Sequence, residues 1–394
     1  MRQAYAEYRR GRSGSSELLQ TPLLETRQAG DWQLLKTLIG TQWLNVLLVF
    51  SPLGILAGHW EWGSDWRFWL NFVALIPLAN LLGDATEELA DALKNQTLGG
   101  LVNATFGNAV EMILTYQTVV QGLLTVAKGS LLGSILSNLL LVLGMAFFAG
   151  GLGARGKEQQ FKETGPMASI SMLFVACVAF AVPTCFALAG SGADHGAEDV
   201  LTLSRGTAVA VLASYVCYIF FQVYTHQAVF EDGAASSEEG GECLSVRASS
   251  AVLAVATGLT AWNSEVLVDS IEPFVAATGI SQAFIGVIIL PIIGNACEHF
   301  AAIRMAVKDK PTLAIGIAVG SSAQIALFVF PLAVIFGWVL NVPLDLDLGV
   351  LNVVVLTLAV LIVFSILVDG KTNWLEGLML IVVYLIVALA YYLS

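Results

Sequence analysis

Charge is what this 394-residue chain has least of: Lys, Arg, Asp and Glu together supply 12% of its residues, against 57% that are apolar. That is about half the charged share of an average soluble domain. So little charge cannot coat a water-facing surface, which excludes a soluble domain of useful size. Cysteine is scarce too, with five residues. The number is odd, and Cys177, Cys185, Cys217 and Cys297 lie inside apolar runs. They read as small buried side chains and not as a disulfide framework. Behind the basic N-terminus (Arg2, Arg9, Arg10, Arg12) no apolar run with a small-residue cleavage site follows closely. No removable signal peptide is therefore expected, and the first span serves as the insertion signal. Lysines are confined to loops and span ends. The spans hold no nucleophile with its base, metal trio or cofactor lysine, so a membrane enzyme or a retinal-binding pump is disfavoured. No cofactor and no nucleic-acid partner is expected.

What the chain does have is long apolar stretches. A helix needs about 20 mostly apolar residues to cross the hydrocarbon layer. Stretches near 40–58, 68–92, 98–121, 128–150, 167–188 and 205–229, then 247–276, 280–306, 312–336, 348–368 and 374–393, have that character. They predict an all-α polytopic membrane protein of about eleven transmembrane helices. A polar, acidic segment from Glu231 to Glu242, including Asp232, Glu238 and Glu239, separates the two groups. By default it is a solvated linker; a regulatory cation sensor is the sharper reading. Placing the N-terminus in the cytoplasm puts Arg155, Lys157, Lys162, Arg304, Lys308, Lys310 and Lys371 on the cytoplasmic side. Asp194, Glu198, Asp199, Asp345 and Asp347 then fall opposite. This is the asymmetry that short cytoplasmic loops display, and it leaves the C-terminus outside.

One separation recurs between matching residues. Gly107 pairs with Gly294, and 294 − 107 = 187. The same 187 links Gly99 to Gly286, Asn108 to Asn295, Ala109 to Ala296, Glu111 to Glu298, Gly133 to Gly320 and Ser134 to Ser321. Each repeat holds an odd number of spans, about five, so the second enters the membrane inverted, the plan of many secondary transporters.

The central motif is Gly107-Asn108-Ala109-Val110-Glu111, repeated as Gly294-Asn295-Ala296-Cys297-Glu298, each in the middle of a span. An ionisable side chain there costs roughly 2.5 to 3.5 kcal/mol. No Lys or Arg lies mid-span to pair with either acid, which weakens the reading of a structural ion pair. Asn108 and Glu111 stand at i, i+3, as do Asn295 and Glu298, so each amide shares a helix face with its carboxylate. Gly107 and Gly294 come one turn earlier, where a loosened helix exposes backbone carbonyls. Two such helices offer the oxygens that Ca²⁺, with about six to eight ligands, takes. Once the cation leaves, desolvation penalises the bare carboxylates and protons replace it. Exchange follows from one site having two alternative occupants.

Flanking residues extend the site. Ser134 and Asn138 on one side, and Ser321, Ser322 and Gln324 on the other, read as further oxygen ligands or supports. Close helix packing is the ordinary alternative for the Gly and Ser positions. His299 is either a proton relay or an orienter of Glu298. Asp84, Glu87, Glu88 and Asp91 run at i, i+3, i+4, i+7 toward the cytoplasmic end of one span, while Asp269 and Glu272 hold similar places at the outer end of its counterpart. Each set is a vestibule that draws cations in, or a plain solvated helix end.

At these residues the sequence resembles the Ca²⁺/H⁺ exchanger (CAX) family of the cation/Ca²⁺ exchanger superfamily. The likeness rests on the stretch from Gly99 through Glu111, on Gly294-Asn295-Ala296-Cys297-Glu298-His299, on Gly133-Ser134, and on Gly320-Ser321-Ser322-Ala323-Gln324. It implies ten core helices in two inverted halves plus one extra N-terminal helix. The corresponding division is a cytoplasmic tail over 1–38, the extra helix in 39–66, a first five-helix repeat in 67–230, an acidic cytoplasmic linker in 231–246 and a second, inverted repeat in 247–394. It also implies Glu111 and Glu298 as the essential acceptors of Ca²⁺ and protons, and a linker that senses cytosolic cation. The surroundings would be a lipid bilayer: that of a vacuole or other acidic compartment in a eukaryote, or the cytoplasmic membrane in a bacterium. A homo-oligomer is left open. Cys297 stands where a small or hydroxyl residue is commoner, and the tail before residue 39 resembles nothing in the family.

Two rivals share parts of this pattern. A Na⁺/Ca²⁺ exchanger would carry a further mid-membrane acid in the second motif region, where His299 stands instead. A cation channel would need a continuous pore, usually built by oligomerisation, and the inverted halves argue against it. The expected mechanism is alternating access, with the paired acids facing one side at a time.

Overall fold

The computed structural model describes residues 31–40, 43–153, 158–190, 196–227, 229–230 and 243–393. Glu231, Asp232, Glu238, Glu239 and Glu242 of the acidic segment lie outside the described residues, as do Arg155, Lys157 and Asp194. The chain runs α1 (Asp31–Gly40), α2 (Trp43–His59), α3 (Ser64–Ala92), α4 (Gln96–Phe106), α5 (Ala109–Val120), α6 (Leu124–Gly153), α7 (Thr164–Gly190) and α8 (Ala197–Thr225). It continues with α9 (Val246–Thr278), α10 (Gln282–Gly294), α11 (Ala296–Val307), α12 (Pro311–Val339), α13 (Val350–Leu367) and α14 (Trp374–Leu393). Helices dominate because hydrocarbon offers a backbone amide no water, so each segment bonds its own.

Eight of these helices are long and apolar enough to cross a membrane, or up to ten if the bent pairs α1–α2 and α10–α11 each count as one span. The hydropathy reading of 98–121 and 280–306 as continuous spans is therefore corrected. The first is two short helices, α4 and α5, parted at Gly107 and Asn108. The second bends by 58° at Asn295. At both junctions an asparagine leaves the helical region, Asn108 at φ −116°, ψ 39° and Asn295 at φ −90°, ψ 14°. Asparagine tolerates this because its side chain competes with the helix for hydrogen bonds. Hydropathy registers how apolar a stretch is, not whether its hydrogen-bond ladder is unbroken. Helix α1 also falls inside the stretch expected as tail. Its Asp31 accepts hydrogen bonds from the Ser245 amide (3.0 Å) and hydroxyl (2.7 Å), and Glu88 accepts one from the Leu244 amide (2.8 Å), so two carboxylates pin the start of α9.

Side chains pack in two clusters. Phe68, Leu75 and Leu78 of α3 meet Leu267, Ile271 and Phe274 of α9, with the Phe68 and Phe274 rings stacked at 4.1 Å. Phe147, Phe180 and Phe330 join α6, α7 and α12 in the larger cluster, which also takes in α8, α13 and α14. Helices in lipid associate through close packing. The crossing of α6 and α14 is an instance: a Cβ built on Gly377 would stand 2.3 Å from the Phe148 amide nitrogen and 2.6 Å from the Gly144 carbonyl oxygen. At the end of the bundle where Arg304 and Lys308 lie, Gln159–Gln160 pairs antiparallel with Lys371–Thr372, and Gln159 donates to the Ala306 carbonyl at 2.9 Å.

At the other end, the strap between α12 and α13 buries Leu344, Leu346 and Leu348 across the bundle. Its backbone amides are met by Ser204 (to Leu346, 3.0 Å) and Thr184 (to Leu348, 3.1 Å). Lys128 of α6 locks the strap, donating to Asp345 at 2.5 Å and to the Asp347 carbonyl at 2.8 Å. Removing one partner of such a pair leaves a half-buried charge alone. Lys128→Met should therefore cost about 1 to 2 kcal/mol, scaled down from a fully buried pair for partial exposure. Thermal unfolding in detergent, followed by tryptophan fluorescence, checks this: an unchanged midpoint would show that the lock is ornamental.

Candidate cation site

The two helix breaks place the two motif acids in equivalent settings. Glu111 is the third residue of α5 and Glu298 the third of α11. Each carboxyl thus stands in the first turn of a helix, where the positive end of the macrodipole favours negative charge. Both are buried, Glu111 at 2% exposure and Glu298 at 9%. The two carboxyls lie near enough to repel when both are charged, and Ser321 faces Glu298. Glu111 also reaches across the repeat boundary: its Oε1 lies 2.8 Å from where a Cβ on Gly294 would be. Gly294 is thus the floor against which that carboxylate rests.

A chain of amides and hydroxyls ties the two motifs together. Ser321 donates to Asn108 Oδ1 at 2.9 Å, and Asn138 donates to Ser321 at 3.0 Å and to Asn295 Oδ1 at 3.4 Å. Asn295 in turn donates to the Ser134 carbonyl at 3.1 Å. Residues of α6 and α12 therefore stitch the head of α5 to the head of α11. Within this frame Glu111 Oε1, Glu298 Oε2, Ser134 Oγ and Asn138 Oδ1 are buried with no hydrogen-bond partner among the described residues. A buried polar atom left so costs about 1 to 3 kcal/mol. Four of them gathered around one chain of contacts are oxygens waiting for an electrophile. Among the described residues no group of three or more His, Cys, Asp and Glu side chains could hold a metal. The donors are two carboxylates with amide, hydroxyl and carbonyl oxygens, a hard set suited to a hard cation.

The other expected residues divide. Gln324 lies beside the first motif, its Oε1 3.8 Å from the Cβ position of Gly107. Ser322 bonds to the Ile135 and Ala318 carbonyls, so its hydroxyl fastens α12 to α6. His299 Nδ1 is 2.6 Å from the Asn295 carbonyl oxygen. A carbonyl only accepts, so that nitrogen carries the proton, and the ring is held by its own helix. Asp84 and Glu87 do approach the centre: Cys297, which packs against Gly83, lies in the field of Glu298, Asp84 and Glu87 together. Asp269 is exposed at its end of the bundle and is also engaged by neighbours. It accepts from Gln121 at 2.6 Å and faces Arg67 at 4.0 Å, and Glu272 is exposed as well.

Two features escaped the sequence reading. Thr115, one turn beyond Glu111, has a buried hydroxyl with no partner among the described residues. Its repeat position is Ala302 (115 + 187), so the symmetry gave no hint. The second is that α6 and α12 each widen into a π turn, at Ser137–Val142 and Ile325–Val329. Those starts match to within one residue of the repeat, since 137 + 187 = 324. Such turns are frequent at functional sites, although α8 and α10 carry one each as well, at Phe221–Thr225 and Ile285–Ile289. Nothing in the apolar runs SNLLLV and IALFV announces them.

A bundle of membrane-crossing helices, interrupted where two acids meet at its centre, defines a membrane transporter of the discontinuous-helix type. The model of the sodium/calcium exchanger protein family matches residues 64–224 and 248–393, and this chain belongs to that family. It is 41% identical over 358 residues to a vacuolar calcium ion transporter of Schizosaccharomyces pombe, covering 91% of this chain and 86% of that one. It is 41% identical over 360 residues to a Ca²⁺/H⁺ antiporter of Aphanothece halophytica, covering 88% of this chain and 95% of that one. Among solved structures, native YfkE aligns with a TM-score of 0.76 at 35% identity, covering 89% of this chain and 100% of that one. The likeness to Ca²⁺/H⁺ exchangers seen in the motifs is thus upheld. A sodium-calcium exchanger, NCX_Mj, shares the fold at 18% identity and a TM-score of 0.52, covering 85% of this chain and 99% of that one.

Proposed function

We propose that this protein is a secondary antiporter that moves Ca²⁺ in exchange for protons by alternating access, with Glu111 and Glu298 as the shared acceptors. One observation carries the reading: two buried carboxylates, each with an unpartnered oxygen, meet at the heads of two interrupted helices. Two negative charges match one divalent cation, and the same two oxygens take protons when the cation leaves. Asn108, Asn295, Ser134 and Asn138 hold the frame, and the carbonyls around Gly107 and Gly294 are further candidates for the shell. His299, whose Nδ1–H donates to the Asn295 carbonyl of its own helix, orients the second motif and is not part of the proton path.

The frame suits two inverted five-helix halves, in 67–230 and 247–394, behind an extra span in 39–66, which makes eleven crossings. In support, α5 and α11 begin 187 residues apart (296 − 109), and so do α6 and α12 (311 − 124). With the N-terminus in the cytosol, the Asp84 and Glu87 end opens to the cytosol, and the Asp269 end to a lumen or the exterior. The named activities of the two similar relatives favour Ca²⁺ over other divalent cations and protons over Na⁺. A vacuolar or similar acidic membrane would supply the proton gradient in a eukaryote, and the cytoplasmic membrane in a bacterium.

The test is Ca²⁺ uptake into vesicles containing the purified protein, with a pH gradient or a Na⁺ gradient as the sole driving force. Uptake driven by protons is the expected result. Uptake driven by Na⁺ alone would move the protein to the neighbouring exchangers, and uptake needing neither gradient would make it a channel.

A further inference from the structure

The two halves of the molecule do not carry the same contacts. At the end where α5 stops, α6 lies directly on α10. A Cβ built on Gly129 would stand 3.4 Å from the Gly286 Cα, and one built on Gly133 would fall 2.1 Å from the Val287 carbonyl oxygen. Both glycines are buried. The exposed Gln121–Asp269 hydrogen bond ties the end of α5 to α9 at the same end.

The repeat names the twin of this contact. Adding 187 to 129 and 133 gives Gly316 and Gly320 on α12, and subtracting 187 from 286 and 287 gives Gly99 and Gly100 on α4. All four are glycine, yet they do not meet. Among the described residues nothing lies within 4 Å of a Cβ built on Gly316 or on Gly320. Gly316 is exposed and Gly320 half-buried. Gly99 rests instead on Ala90 of α3, and Gly100 faces Val223 of α8. Glycine inside a helix costs about 1 kcal/mol relative to alanine, and within membranes it gathers where helices approach closely. Among the described residues Gly316 and Gly320 serve no close approach in this conformation.

We propose that Gly316 and Gly320 are the seat on which α4 closes in the second state of the transport cycle, Gly316 against Gly99 and Gly320 against Gly100. The inference rests on the alternating-access reading and names the contacts that shut the Glu87 and Arg304 end. The break at Gly107 and Asn108 separates α4 from α5, so α4 can swing without carrying Glu111 with it. When α4 seats on α12, α10 leaves Gly129 and Gly133, and the Asp269 end opens. The conformation described here is therefore the one open at the Glu87 end.

The test is Gly320→Leu in the full chain. Among the described residues a Cβ at 320 meets nothing within 4 Å in this conformation, whereas in the closed one a leucine there would stand against Gly100. The variant should keep its thermal midpoint and the Ca²⁺-induced change in tryptophan fluorescence, and lose proton-driven uptake by about tenfold or more. Uptake at the parent rate would overturn the proposal. Should the leucine variant fail to fold, the pair Gly99→Cys and Gly316→Cys, made in a transport-competent background freed of the native cysteines, decides the matter. Oxidation in membranes should join the two, seen by mass spectrometry of the linked peptide, and stop transport until the bond is reduced. Failure to join in a protein that still transports would overturn the proposal equally. Absence of proton-driven uptake in the parent would instead remove the antiport reading, so the two failures are distinguishable.

Discussion

Glu111→Gln or Glu298→Gln should each reduce proton-driven Ca²⁺ uptake to the background of protein-free vesicles. Glutamine keeps the size of the side chain and one oxygen, so packing around α5 and α11 is preserved while the charge is lost. A divalent cation facing one remaining carboxylate carries an uncompensated positive charge at mid-membrane. A penalty of about 3 kcal/mol for such a charge corresponds to roughly two orders of magnitude in affinity. The return leg fails as well, because an amide cannot accept the proton that must travel back. The double variant should be no worse than either single one, since both acids serve one site and their effects are not additive. Ca²⁺ uptake at the parent rate in either variant would falsify the assignment of the site.

Much of this site is legible in the sequence because its chemistry is dear. Two acids in apolar surroundings need a reason, and a repeat offset of 187 brings Asn108, Glu111, Asn295 and Glu298 into register before any coordinates. Asn138 and Ser321 read from sequence only as further ligands or supports; that they join the two motifs is seen in the hydrogen bonds alone. The helix breaks were only half legible. Glycine and asparagine mark weak points, but 98–121 and 280–306 are apolar enough to read as continuous spans, and hydropathy does not register a change of direction. The π turns were not legible at all, because widening by one residue depends on what packs around a helix and not on its own composition. Asp269 shows a third limit. Spacing placed it as a counterpart of Asp84, yet Gln121 occupies it, a partner 148 residues away that no periodicity connects.

Gly294→Ala tests the geometry of the site with a single methyl group. The added carbon would stand 2.8 Å from Glu111 Oε1 and 3.2 Å from its Cδ. Real carbon atoms do not approach so closely, so the carboxylate must move, and at 2% exposure Glu111 has little room. Crowding of this kind costs typically about 1 to 3 kcal/mol, and Ca²⁺ holds its oxygens at about 2.3 to 2.6 Å. A displaced carboxylate cannot keep that distance. Ca²⁺ should therefore bind about tenfold or more weakly, read as a rise in the Ca²⁺ concentration for half-maximal uptake. Gly206→Ala is the matched control: among the described residues nothing lies within 4 Å of a Cβ there, and its half-maximal concentration should match the parent. Adding Glu111→Asp to Gly294→Ala withdraws the carboxylate by one carbon and should recover part of the lost affinity. A general disturbance of the fold would not be relieved by a second, shortening substitution, so recovery in the pair assigns the effect to the contact between Gly294 and Glu111. If Gly294→Ala alone binds Ca²⁺ as the parent does, the carboxylate does not rest on that glycine when the cation is held.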